Sequence, residues 1–237
     1  MLEKYHRARF NLLSADLTYF QLGPSFINDP RLKPLPPAIK YRSCELVVLD
    51  GHFLRTQENA ERHDFSRLLI SQLVIGLQAV KPGGTIVLKL SKPDNVRTAK
   101  LLYMLDAISD CLETCKPRSM HANRGTFYAI AKGVRLGTEA VGYLENLKRL
   151  WFELTFGGDA GGGRFLNETD LNFVVTTDEL VDRYMARLIE LGREVWKVQA
   201  ICLRGFLRKK GIDVDDIVLP STCVSGLEAV TVSLTEL

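Results

Sequence analysis

The sequence of 237 residues has no run approaching the roughly 20 consecutive apolar residues that a membrane-spanning helix needs. Its start, Met1-Leu2-Glu3-Lys4-Tyr5-His6-Arg7, has no apolar signal core. A soluble intracellular protein, cytoplasmic or nuclear, is expected. Cysteine is sparse: Cys44, Cys111, Cys115, Cys202 and Cys223 are an odd number with no CxxC pair. That argues against a disulfide scaffold, and no His or Cys at ligand spacing completes a metal site, so none is expected. The histidines His6, His52, His63 and His121 show no pairing pattern and read as surface or loop residues. The one glycine cluster, Gly157 to Gly163, holds five glycines in seven residues. It lacks the GK[ST] ending of a phosphate loop and no strand precedes it, so it reads as a flexible hinge. No repeat or low-complexity tract is present.

Charge is scarce only in the net. The chain totals +3, but residues 211–237 carry five acidic residues and no Lys or Arg, which leaves +8 on residues 1–210. A basic body with an acidic tail suits a polyanionic partner such as RNA, although many unrelated domains carry as much.

Two short apolar runs each end in a charged residue. The first is Leu46-Val47-Val48-Leu49-Asp50, and the second, after Lys81-Pro82-Gly83-Gly84, is Thr85-Ile86-Val87-Leu88-Lys89. Both read as strands buried on both faces of a parallel sheet. Between them His63 to Val80 has Leu69, Leu73 and Leu77 at helical spacing, so strand, helix and strand form a right-handed parallel crossover. Asp50 and Lys89 then emerge together at the carboxyl edge, where open α/β sheets hold their ligands. A lysine facing a carboxylate there is a candidate proton-transfer pair.

Around this core, Phe10 to Ser14 reads as a short strand ending near Asp16, and Gly23 to Lys40, with five prolines, as an irregular connection. Asn95 to Glu113 repeats the helical pattern, with Cys111 and Cys115 one turn apart if the helix reaches them. Thr126 to Ala131 looks like a final strand. The fold class is therefore α/β. Beyond Gly133 the texture turns helical: Glu139 to Phe156 is amphipathic, and Thr177 to Lys210 is one long helix. Thr177 is its expected cap, with Asp178 and Glu179 at its start and Arg208-Lys209-Lys210 at its end, complementing the helix dipole. Two units are expected, 1–134 and a mainly helical appendage with an acidic tail at 135–237.

Asp50 after an apolar strand, Lys81-Pro82-Gly83-Gly84 leading into Ile86-Val87-Leu88-Lys89, and Lys116-Pro117 followed eleven residues later by Tyr128 resemble the FtsJ-type ribose 2′-O-methyltransferases. The resemblance covers residues 8 to 134 and implies the second half of a doubly wound, mostly parallel, Rossmann-like methyltransferase sheet. It implies S-adenosylmethionine as cofactor and RNA as substrate. In that family a Lys-Asp-Lys-Glu tetrad surrounds the target 2′-hydroxyl. Asp50 is similar to its aspartate, which also borders the cofactor's sulfonium, and Lys89 to its second lysine, the base. A ribose hydroxyl is a poor nucleophile until its proton is drawn off, which a desolvated lysine can do. Asp16 is similar to the acidic residue that contacts the cofactor's adenine, although an aspartate there is also an ordinary turn residue.

Two departures accompany these matches. Thr126 stands where the family's tetrad glutamate precedes the aromatic Tyr128, and threonine cannot supply that charge. The glycine-rich strand-turn for the methionine moiety, and the first tetrad lysine, should precede the Asp16 strand and are not found there. Either the chain is the carboxyl part of a longer protein or it is a shortened member of the family. The expected function is S-adenosylmethionine-dependent RNA ribose 2′-O-methylation, truncated or impaired. The alternative is a non-catalytic module of methyltransferase descent that binds RNA, or a protein through its C-terminal helices.

Overall fold

The computed structural model describes residues 12–52, 62–119, 122–159 and 161–212. Four strands form one sheet in the order β1-β2-β4-β3. They are β1 (Cys44–Leu49), β2 (Val80–Ser91), β3 (Cys111–Cys115) and β4 (Thr126–Lys132). β1 and β2 are parallel, and β4 runs antiparallel to both β2 and β3, so three strands point one way and one is reversed. The long helices are α1 (Arg62–Ala79), α2 (Val96–Ala107), α3 (Thr138–Phe156) and α4 (Thr177–Lys209), and a single helical turn, Pro37–Lys40, closes the proline-rich stretch expected to be irregular throughout. The architecture is α/β with a mixed, mostly parallel sheet.

The β1–α1–β2 crossover forms as its sequence dictates. The sheet face carrying Leu49, Ile86, Leu88, Leu90, Phe127 and Ala129 is buried. α1 packs against β1 on one side and against α3 on the other, which is why Ile70, Leu73, Val74, Ile75 and Leu77 are all buried around its circumference. α4 packs against α2 and β3, and its Leu180, Tyr184, Leu188, Leu191 and Val195 join the same apolar core as the sheet.

The opposite sheet face departs from expectation. β1 reads as a strand buried on both faces, yet Leu46 and Val48 are each 58% exposed. β1 is the outermost strand of the sheet, and Val87, Tyr128 and Ile130 beside it on that face are only half-buried. Among the described residues no layer covers this face of β1.

Four boundaries also differ. Leu12 to Ser14 forms no strand, and Leu12 and Leu13 are 75% and 57% exposed, because among the described residues no neighbouring strand accepts their backbone groups. Phe10 and Asn11 lie outside the described residues. The helix expected to run from Asn95 to Glu113 ends at Ala107, with Asn95 as its cap, and the chain re-enters the sheet as β3. Cys111 and Cys115 thus lie on a strand, both exposed. Its Leu112 is buried while Cys111 and Glu113 face solvent, a period of two that competes with a helical reading over so short a span. Lys81-Pro82-Gly83-Gly84 is the irregular beginning of β2 and not a turn before it. Gly83 has φ +76°, Gly83 N donates to Val134 O at 2.9 Å, and the β1 register shifts between Cys44 and Leu46. At α4 the cap is Thr176, one residue earlier than expected. Its hydroxyl accepts from Glu179 N while the Glu179 carboxylate accepts from Thr176 N, a reciprocal capping box.

Candidate functional site

Strand order and register bring three side chains together. Lys89 and Tyr128 are cross-strand partners on β2 and β4, and Asp50 leaves β1 directly after Leu49, which is level with Leu88. Residues opposite one another in adjacent strands share a sheet face. Lys89 Nζ lies 2.7 Å from Asp50 Oδ1, and the Tyr128 hydroxyl donates to Asp50 Oδ2 at 2.9 Å. The expected Asp50–Lys89 pair therefore exists as an ion pair at the carboxyl edge of two parallel strands. The Lys89 side chain is 20% exposed and that of Asp50 40%, so the pair faces a crevice and is not sealed.

Partial burial pushes the Asp50 carboxyl up. The hydrogen bonds from Lys89 and Tyr128, the Lys89 charge and the nearby His52 outweigh it and hold the carboxyl below the usual carboxylate range. The same contact acts in reverse on Tyr128: burial first, then the Asp50 carboxylate, push its phenol up and keep it protonated as a donor.

Two supports hold this cluster. Gln72, buried on α1, accepts from Gly51 N through Oε1 at 2.7 Å and donates from Nε2 to Gly51 O at 3.4 Å, which fixes the turn carrying Asp50. A Cβ on Gly51 would come within 2.9 Å of that Oε1, so glycine permits the close approach. At the entry to β4, the buried ammonium of Lys116 donates to Thr126 O at 2.8 Å and also to Arg124 O. Burial pushes the Lys116 ammonium down, against the opposing influence of Cys202.

Asp16 stands elsewhere in this scheme. It caps the 3-10 turn Leu17–Tyr19, and its Oδ1 accepts from Thr18 N at 2.9 Å and Thr18 Oγ1 at 2.7 Å. Thr126 lies two residues before Tyr128 on β4, on the same face and one step nearer the carboxyl edge, opposite Ser91. Sequence reasoning missed Gln72, whose signal is a glutamine inside an apolar helical stripe. It also missed the direct hydrogen bond of Tyr128, which depends on strand register. Among the described residues no group of three or more His, Cys, Asp and Glu could hold a metal ion. No helix of the described residues is long and apolar enough to cross a membrane.

The fold is thus an α/β sheet with an acid and a base side by side at one edge. Residues 5–134 match the FtsJ-like methyltransferase family, and the chain belongs to it. It is also 28% identical over 101 residues to the cap-specific mRNA (nucleoside-2'-O-)-methyltransferase 1 of Danio rerio. That alignment takes in 42% of this chain and 12% of the Danio rerio protein.

The family is S-adenosylmethionine-dependent. Asp50 accepts from Lys89 on one oxygen and from Tyr128 on the other, and Asp16 Oδ1 accepts from Thr18; a carboxylate has about four lone-pair sites, so these contacts leave acceptor capacity on both residues.

Proposed function

We propose that this chain carries the acceptor side of an RNA ribose 2′-O-methyltransferase site, with Lys89 as the group that receives the ribose proton and Asp50 as the residue that orients it. The observation that supports this reading is the 2.7 Å Lys89–Asp50 pair toward the carboxyl edge of adjacent parallel strands. The paired ammonium first releases its proton to solvent; the neutral amine then accepts the 2′-hydroxyl proton as oxygen attacks the methyl donor, and the half-exposed carboxylate beside it offsets the ammonium charge that is restored. Tyr128, donating to the same carboxylate, restricts its rotation and so aims the lysine.

S-adenosylmethionine is the methyl donor implied by the family, with Asp16 and Asp50 as the residues that the resemblance assigns to it. Two carboxylates supply few of the contacts that a ligand of this size needs, which favours weak binding by residues 1–237. Thr126 in place of a carboxylate favours a second reading, a non-catalytic module that retains RNA or protein recognition.

One comparison separates the two. Residues 1–237 and the Lys89→Met variant are assayed for transfer of labelled methyl to RNA. Transfer that falls at least roughly 100-fold in the variant supports catalysis through Lys89. Equal transfer by both forms rejects the base assignment, and background transfer by both favours the recognition module.

A further inference from the structure

α4 lies outside the part of the chain that matches the family, and its course relative to the site is specific. It climbs alongside β3 toward the carboxyl edge: Arg187 Nη2 donates to Leu112 O at 2.9 Å, and Thr114 Oγ1 donates to Leu191 O at 2.5 Å. At that edge Trp196 Nε1 donates to Asp94 Oδ1 at 3.3 Å in the loop leaving β2, and Cys202 sits close enough to Lys116 to act on it electrostatically. Val198 is the last buried residue of the helix among those described. The eleven residues from there to Lys209 project over about 16 Å at the rise of an α-helix.

The projecting end is chemically one-sided. From Gln199 to Ile212 it carries Arg204, Arg208, Lys209 and Lys210 and no acidic residue. Ile201 is 60% and Phe206 44% exposed, and Lys210 Nζ lies 5.9 Å over the Phe206 ring. Dipole complementation acts within the last turn, so it accounts for Lys209 but not for Arg204. The positive surface also continues beyond the helix. Lys92 and Arg124 are exposed and adjoin each other through the Lys92 N to Gly125 O bond at 2.9 Å, and Lys116 holds Arg124 O. Lys92 and Gly125 follow directly on the Ser91–Thr126 pair, two residues beyond the Lys89–Tyr128 pair.

We propose that the end of α4 is an RNA-binding arm that guides the strand across Lys92 and Arg124 to Lys89. The proposal rests on RNA being the substrate of the site. Cations supply affinity through phosphate contacts, and the exposed Phe206 ring offers a stacking platform to an unpaired base. An anionic membrane could also attract a basic amphipathic helix. The continuation of the cations onto the catalytic edge instead favours a chain that passes from one to the other.

The test measures binding of a fluorescein-labelled single-stranded RNA by anisotropy, across a salt series and without cofactor. Full-length chain is compared with Arg204→Gln/Lys209→Gln/Lys210→Gln, a surface variant whose thermal unfolding is checked against the parent. The expected result is binding at least about tenfold weaker at low salt, with the slope of log K against log salt reduced by about 2, as for three lost contacts to a single strand. The assay contains no methyl donor. Binding is therefore read independently of methyl transfer, and failure of the site reading leaves this result standing. An unchanged affinity and slope in the arm variant overturns the proposal. So does arm-dependent binding to phosphatidylserine vesicles with no binding to RNA.

Discussion

Lys89 and Tyr128 face each other across β2 and β4, and both side chains end on the two oxygens of one carboxylate, that of Asp50. The site is thus a clamp built across three strands: β1 delivers the acid, and the central pair β2 and β4 delivers its two donors.

The clamp sets a pH dependence. Asp50 is held below the usual carboxylate range in the folded state, so its contribution to stability is complete above the unfolded value of about 3.9 and is lost as pH falls through the lower folded value. In Tyr128→Phe one of its donors is gone, and the Asp50 carboxyl is expected to titrate higher than in the parent by carboxyl-carbon NMR. Lys89→Met is expected to raise it further, because hydrogen bond and charge are lost together. A titration unmoved by either substitution would show that the pair is not formed in solution. The stability change for Tyr128→Phe should be at most about 1 kcal/mol, since the bond borders solvent.

Lys116→Met should destabilise the chain by about 1–3 kcal/mol, measured by urea unfolding. The thioether fills the space but leaves two carbonyls, of Arg124 and Thr126, without their buried donor. The linkage sign is opposite to that of Asp50. A lysine whose folded value is lowered by burial binds fewer protons folded than unfolded, so the parent gains stability as pH rises from that lowered value toward about 10.4. The methionine variant should lose this part of the rise, and an identical pH profile would contradict the buried ammonium.

S-adenosylmethionine is expected to bind residues 1–237 weakly or not at all by calorimetric titration. Asp16 and Asp50 are the two residues that the resemblance assigns to the cofactor, and two carboxylates supply few of the contacts that a ligand of this size needs. A dissociation constant in the low micromolar range, roughly −8 kcal/mol, would reveal a pocket that these contacts do not account for.

Thr126→Glu should raise any RNA methyl transfer that the chain supports. A glutamate at this position sits on the Tyr128 face, one step from Lys89 toward the carboxyl edge, where its charge can hold and tune the lysine. Should the threonine form already turn over as fast as the glutamate form, Lys89 works with another partner or is not the base.

The sequence by itself determined the β1–α1–β2 crossover, because short β-branched runs separated by a leucine-rich helical repeat leave few other arrangements. It also determined that Asp50 and Lys89 come level toward the same edge of neighbouring parallel strands, since a right-handed crossover sends both that way, while β2 runs on to Ser91. Tertiary structure decided what local pattern cannot express. Leu12 to Ser14 has strand-forming residues but finds no partner, and β3 separates from the end of α2 only through its pairing with β4. The exposure of Leu46 and Val48 depends on what covers a sheet face, and hydropathy along one strand does not report that. Tyr128 joined the site through a register that matches it with Lys89, thirty-nine positions away in the chain. Gln72 and Lys116 act through backbone atoms, which carry no side-chain signature. The direction of α4, which carries its basic end to the carboxyl edge of the sheet, follows from its packing against α2 and β3 and not from its own amphipathic stripe.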